Sequence, residues 1–184
     1  MQSHYFLAVP LPIELKKEIK RTIEDETLSF KRWVHEEDYH ITLVFLGACT
    51  EEQLEKIQRK CSIELAKSES FSLEFSTLGT YGKKEEPRIF WLGVKDQPLL
   101  HVLRKKVSAI CEEVGFKQEK RPFSPHITVA RKWVGVERYQ EEFVKDIKLN
   151  KKWKVDKVIL YKSVLSEEPK YKEIGVFSLN GIEQ

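Results

Sequence analysis

Cysteine, methionine and long apolar runs are all scarce in this chain. Its 184 residues include three Cys and one Met. Cys49, Cys61 and Cys111 are odd in number and lack metal-ligand spacing, which fits a reducing compartment. No apolar stretch approaches the length that spans a bilayer. The opening Met-Gln-Ser-His-Tyr-Phe-Leu-Ala-Val-Pro has no basic segment and only a short apolar run, so it does not read as a signal peptide. A cytoplasmic protein is expected. No glycine-rich phosphate loop or dinucleotide fingerprint occurs, and there is no low-complexity segment. Charge of one sign is also lacking. The chain carries 32 Lys and Arg against 29 Asp and Glu, a net +3. That excludes a histone-like polycation but permits a local basic groove.

Aromatic residues are well represented. Ten Phe, six Tyr and four Trp can fill one sizeable core, and the length suits a single domain over 1–184. Hydrophobic periodicity predicts a strand over His4 to Val9 and a helix from Pro12 to about Glu26, then a polar connector from Phe30 to Asp38. A strand at His40 stops at Gly47. Thr50 and Gln53 form a capping box for a helix to about Lys67. Phe71, Leu73 and Phe75 alternate as a half-buried strand, followed by a charged loop from Gly79 to Pro87 and a strand from Arg88 to Val94. Pro98 begins a helix that Gly115 ends. Lys117 to Pro122 is a basic connector, and a strand begins at His126. Val136 to Ile147 reads as a weaker helix. Trp153 to Val164 reads as one long strand, and Tyr171 to Leu179 as the last. The order implies an α+β fold. Two pseudo-symmetric lobes are expected, each a mostly antiparallel sheet with helices on its outer face, with a cleft between them.

The informative pattern is a repeat. His40-Ile41-Thr42-Leu43 returns as His126-Ile127-Thr128-Val129. Alternate residues of a strand share a face, so His40 and Thr42 point one way, and His126 and Thr128 do likewise. A simpler reading has each His and Thr satisfying one another at a buried strand end, but recurrence with matched apolar flanks argues against it. Facing strands would present two imidazoles and two hydroxyls to one tetrahedral oxyanion. Histidine titrates near neutrality, at about 6.5. One ring can therefore give a proton to a leaving oxygen while the other takes one from water. The hydroxyls can donate to the non-bridging oxygens. The residues alone do not order the two roles. Two His without nearby Cys or carboxylate fall short of a usual metal site, and no Cys sits in a nucleophile motif.

The paired motifs resemble those of the 2H (two-histidine) phosphoesterase superfamily, and more closely its LigT-like branch of RNA 2′,3′-cyclic phosphodiesterases, also called 2′-5′ RNA ligases. The likeness runs through Phe6-Leu7-Ala8-Val9-Pro10, Trp33, His40 to Gly47, Leu78-Gly79-Thr80-Tyr81, Phe90 to Val94 and Arg121 to Arg131. It implies a two-lobed fold and metal-independent hydrolysis of RNA 2′,3′-cyclic phosphate ends to 2′-phosphomonoesters, with no cofactor. His40 would be the proton donor to the 3′ oxygen and His126 the acceptor from water, with weak reverse 2′-5′ ligation. Arg131 would be the companion cation, although strand parity turns it away from His126 unless the strand bulges. Arg121 could steer a phosphate, as could Lys83 and Lys84. Phe6, Tyr81 and Phe123 could stack a base. His4, His35 and His101 lack a Thr partner and read as local structure. The expected partners are RNA ends or small cyclic nucleotides, with no membrane and no obligate protein, for a monomer. Two alternatives share the motifs: a phosphodiesterase of another small substrate (a cyclic nucleotide, ADP-ribose cyclic phosphate or 2′-5′ oligoadenylate), or a non-catalytic RNA-end binder.

Overall fold

A computed structural model describes residues 2–117 and 119–180. Gln118, inside the predicted basic connector, and residues 1 and 181–184 of the expected domain lie outside the described residues. In chain order the elements are β1 (His4–Pro10), α1 (Ile13–Ile23), β2 (Phe30–Trp33), β3 (His40–Gly47), α2 (Glu51–Leu65), β4 (Phe71–Gly82), β5 (Pro87–Val94), α3 (Pro98–Glu113), β6 (His126–Trp133), β7 (Lys152–Val155), β8 (Lys157–Ser163) and β9 (Tyr171–Ser178). Two antiparallel sheets result, of order β3-β1-β8-β9 and β2-β6-β5-β4-β7.

Local chemistry explains most boundaries. Pro10 and Pro12 close β1, and α1 buries Ile19 and Ile23. Thr50 and Gln53 form the predicted reciprocal capping box of α2. Pro98 opens α3, whose buried side is Leu100, Leu103, Val107, Ile110 and Cys111. Gly115 adopts φ 105°, a left-handed conformation that an L side chain resists. Helix α3 packs on β3, and α2 on β9 and α3. One continuous apolar core reaches both sheets, from Leu7, Val9 and Ile41 to Phe90, Ile127 and Val129.

The two-lobe expectation holds, but the lobes are not the two halves of the chain. The order β3-β1-β8-β9 matches β6-β5-β4-β7 strand for strand, with β2 added beside β6. The expected long strand from Trp153 to Val164 divides at Asp156. Trp153 and Val155 pair with β4 of the second sheet, and Val158 to Tyr161 enter the first. The spacing of three between buried Val155 and Val158 breaks a two-residue alternation, and the break coincides with the change of sheet. The predicted connector carries a strand at Phe30–Trp33, because Phe30 stacks on Phe90 at 4.9 Å and Arg32 pairs with Arg131. Gly79 to Gly82 continue β4, leaving only 83–86 as the turn. The helix to Glu26 stops at Ile23, where Glu24 turns extended. Over 136–147 only a 3₁₀ turn at Glu141–Val144 forms. There Tyr139 joins the rings of Phe30 and Trp133, and its N–H donates to the Glu85 carbonyl. These tertiary contacts override a weak helical period.

Gly79 lies directly under the Trp91 indole. A Cβ there would fall 2.2 Å from Trp91 Cζ2. Gly79→Ala is expected to displace that indole at a cost of about 1–3 kcal/mol, read as a lowered midpoint in urea denaturation; an unshifted midpoint would contradict this packing.

Candidate active site

Both motif histidines are held the same way. His40 Nδ1 is 2.7 Å from the Asp38 carbonyl oxygen, and His126 Nδ1 is 2.8 Å from the Ser124 carbonyl oxygen. A carbonyl can only accept, so Nδ1–H donates in each ring. Nε2 is then the nitrogen left for proton transfer. In the first lobe it lies 2.9 Å from Thr42 Oγ1. In the neutral ring the hydroxyl donates to it.

The walls around the two rings differ. His40 lies against Phe6, ring centroids 4.7 Å apart, and Tyr171 meets it edge-on at 5.2 Å. Phe6 is 4% exposed and also meets Tyr161 and Tyr171. Its ring is committed to the protein and supports the imidazole, leaving no open face for the base that its sequence suggested. His126 meets Tyr81 edge-on at 5.1 Å and Trp91 at 6.3 Å. The Tyr81 hydroxyl is 2.9 Å from Ser124 Oγ. Tyr81 thus braces the second ring and the residue that anchors it.

A bulge decides Arg131. Thr128 pairs with Trp91 and Ala130 with Phe90, so Val129 has no partner of its own. Val129 and Ala130 are both fully buried. The extra residue flips the alternation, and Arg131 returns to the face of His126 and Thr128. Its charge acts on groups in both lobes. Burial lowers the His126 pKa, the Ser124 hydrogen bond opposes this, and the Arg131 charge adds to the lowering. Burial raises the Tyr171 phenol, and the same guanidinium opposes that. The other strand carries the mirror-image irregularity: Ala8 pairs with Thr42 and Leu7 with Val44, passing over Leu43.

Desolvation pushes His40 down to about 4; the Asp38 carbonyl and carboxylate oppose this, while Lys16 and His126 add to it. The His40 imidazole therefore feels the charge of His126 in the other lobe. Lys16 itself has a lowered pKa, chiefly through burial, and its Nζ donates to the Glu37 carbonyl at 2.9 Å.

The structure brings His40, Thr42, Phe6, His126, Thr128, Tyr81 and Arg131 to the facing surfaces. It turns two expected residues elsewhere. Arg121 is paired with Glu119, and its side chain is 84% exposed. Phe123 packs on α3, its ring 5.6 Å from His101 and beneath Arg104. Lys83 and Lys84 occupy the exposed turn after β4. His35 accepts from Glu37 N, and His101 lies 3.3 Å from Asp96. The sequence reading missed Asp38, Tyr161 and Tyr171. Asp38 is 5% exposed, and its carboxylate accepts from Lys170 N at 2.9 Å and Tyr171 N at 3.1 Å. The contact joins positions 132 and 133 residues apart. No local pattern could announce it.

With this geometry in view, the family assignment follows. Residues 11–166 match the model of the 2′-5′ RNA ligase superfamily. The chain belongs to that superfamily. Among curated relatives, a Geobacillus stearothermophilus protein named RNA 2′,3′-cyclic phosphodiesterase is 43% identical over 183 residues. The match covers 98% of this chain and 58% of that protein, so the chain spans little more than half of that relative's length. A Bacillus subtilis protein of the same name is 34% identical over 98% of both chains. The crystal structure of E. coli LigT complexed with 3′-AMP superposes with TM-score 0.77 at 22% identity, covering 97% of this chain and 99% of that one. A crystal structure described as a phosphoesterase gives TM-score 0.79 at 23% identity, over 98% and 99% of the two chains. These structures share the superfamily fold with the present chain. No helix among the described residues is long and apolar enough to cross a membrane.

Removing the Asp38 carboxylate should free the start of β9 and with it Tyr171. Asp38→Ala is expected to cost about 2–4 kcal/mol of folding stability, since two backbone donors lose a charged acceptor. Asp38→Asn, which keeps one acceptor oxygen, should cost about half as much. Equal stability of both variants with the parent in thermal unfolding would refute the clamp.

Proposed function

We propose that this chain hydrolyses RNA 2′,3′-cyclic phosphate ends to 2′-phosphomonoesters without a metal, as one bilobal unit acting as a monomer. The observation that carries this reading is the pair of Nδ1-anchored imidazoles, one from each lobe, with the Arg131 guanidinium on the strand face of His126. The names of the Geobacillus and Bacillus relatives support the substrate class.

In this mechanism the cyclic phosphate lies between the two Nε2 atoms. His126 takes a proton from water as the water oxygen attacks phosphorus. His40 gives its proton to the departing 3′ oxygen, leaving the phosphate on the 2′ oxygen. The attacking and leaving oxygens are in line, which suits groups on opposite banks. Thr42 and Thr128 donate to the non-bridging oxygens, and Arg131 offsets the charge that grows there. Run backwards, the same steps give a weak 2′-5′ ligation.

Burial favours the neutral rings, so bound anion must help to keep His40 protonated. The sign follows. Protonated His40 is lost as pH rises through its lowered pKa, and neutral His126 is lost as pH falls through its own lowered pKa. Both limbs of the kcat/KM profile are therefore expected below about 6.5, and those of kcat higher, because the substrate's negative charge raises both imidazoles. Limbs of kcat/KM that both lie above about 7 would contradict this.

The direct test is turnover of a nucleoside 2′,3′-cyclic phosphate and of a cyclic-ended oligonucleotide in EDTA, with identification of the product isomer. The parent should give the 2′-phosphate, and His40→Ala and His126→Ala should each lose at least about 100-fold in kcat. Undiminished turnover in both variants would sink the mechanism. Turnover of a different diester alone would move the substrate to another small phosphodiester.

A further inference from the structure

One lysine stands where the helix pattern calls for an apolar residue. On α1, Lys16 lies three and seven positions before Ile19 and Ile23, which are 0% and 1% exposed. Residues at that spacing share a helix face. Lys16 is accordingly half-buried, while Lys17, Lys20 and Arg21 are exposed. Burying an ammonium is costly, and a position that breaks a local rule in this way is a candidate for function. Lys16 makes no ion pair among the described residues to offset that cost. Its Nζ donates instead to the Glu37 carbonyl at 2.9 Å. Glu37 belongs to the 3₁₀ turn Glu36–Asp38, against which α1 packs. The next carbonyl along, that of Asp38, accepts from His40 Nδ1 at 2.7 Å. Two hydrogen bonds and one residue of main chain thus join the ammonium to the imidazole. The charged groups about Lys16 are Glu37 and Asp38 of that turn, Glu173 of β9 and Lys157 of β8, with Lys154 and Asp156 lining the same cavity. Those about His40 are Asp38, Lys16 and His126, with the phenols of Tyr161 and Tyr171.

We propose that Lys16 is a positioning residue for His40: it holds the Glu37–Asp38 turn so that the Asp38 carbonyl stays aimed at Nδ1, and it keeps a positive charge beside that anchor. The proposal rests on the function given above and concerns the acid in it. A cation near an imidazolium favours loss of its proton. A stronger acid passes that proton more readily to a departing oxygen. Lys16 acts on His40 in this sense, and the Asp38 carboxylate acts in the opposite one. The turn thus presents a carboxylate to the ring and the helix presents an ammonium, and their balance sets how readily Nε2 releases its proton.

The test follows kcat/KM against pH for a nucleoside 2′,3′-cyclic phosphate, and the His40 ring resonances against pH by NMR without substrate, in the parent, Lys16→Met, Lys16→Arg and Glu173→Gln. Met is close to Lys in shape and brings neither the charge nor the donor. Lys16→Met should lower kcat about three- to tenfold with little change in KM, and should move the falling limb and the His40 titration up by about half a pH unit. Lys16→Arg should keep both near the parent's values. Glu173→Gln removes a carboxylate rather than a cation, so it should move neither upward. A His40 titration in Lys16→Met that stays where the parent's lies would overturn the proposal, as would an equal upward move in Lys16→Arg or Glu173→Gln. If the parent turns over no cyclic phosphate, the proposed function fails, whereas the substrate-free titration still supports or overturns the link from Lys16 to His40.

Discussion

A hydrogen bond to a main-chain carbonyl two residues upstream governs each half of this site. The Asp38 and Ser124 carbonyls take the Nδ1 protons of His40 and His126. Each bond fixes a tautomer and an orientation at once. It leaves Nε2 free to exchange a proton, and it keeps the ring on the strand rather than swinging from it. The anchors are themselves anchored. Asp38 is tied through its carboxylate to the start of β9, and Ser124 through its hydroxyl to Tyr81. A shift in either support would be felt at the ring it holds.

Around these anchors the fold places low-polarity walls. Phe6, Tyr161 and Tyr171 surround His40, and Tyr81 and Trp91 stand by His126. Desolvation is the leading cause of the lowered pKa of both rings. Neutral imidazoles do not repel one another. The bulges at Leu43 and Val129 add the remaining element. They let a strand keep its buried face while redirecting a later residue toward the cleft.

Much of this was legible in the chain. The matched His-x-Thr motifs gave the two strand-borne imidazole–hydroxyl pairs, because period-two alternation makes a strand's faces readable from spacing. The capping box at Thr50 and Gln53 and the Pro98 helix start appeared as expected, since their chemistry is local. The expectation for Arg131 turned on whether the strand bulged, and parity alone had no means to decide it. Phe6 and Phe123 illustrate a different gap. An aromatic residue near a motif can face a ligand, the core or another helix, and only packing chooses. The break at Asp156 left a trace in the Val155 to Val158 spacing, but nothing local says that the chain changes sheets there.

The sequence by itself determined that two imidazole–hydroxyl pairs would stand on strands, backed by Ile41, Leu43, Ile127 and Val129. That follows from residue type and alternation within a few neighbours. The tertiary structure decided which sheet each pair stands on, that a bulge turns Arg131 to the face of His126, and that Asp38 and Tyr171 stand behind His40. Those outcomes depend on strand register and on contacts between residues more than a hundred positions apart. They are settled by how two sheets share one core, which is a property of the whole chain and of no single stretch of it.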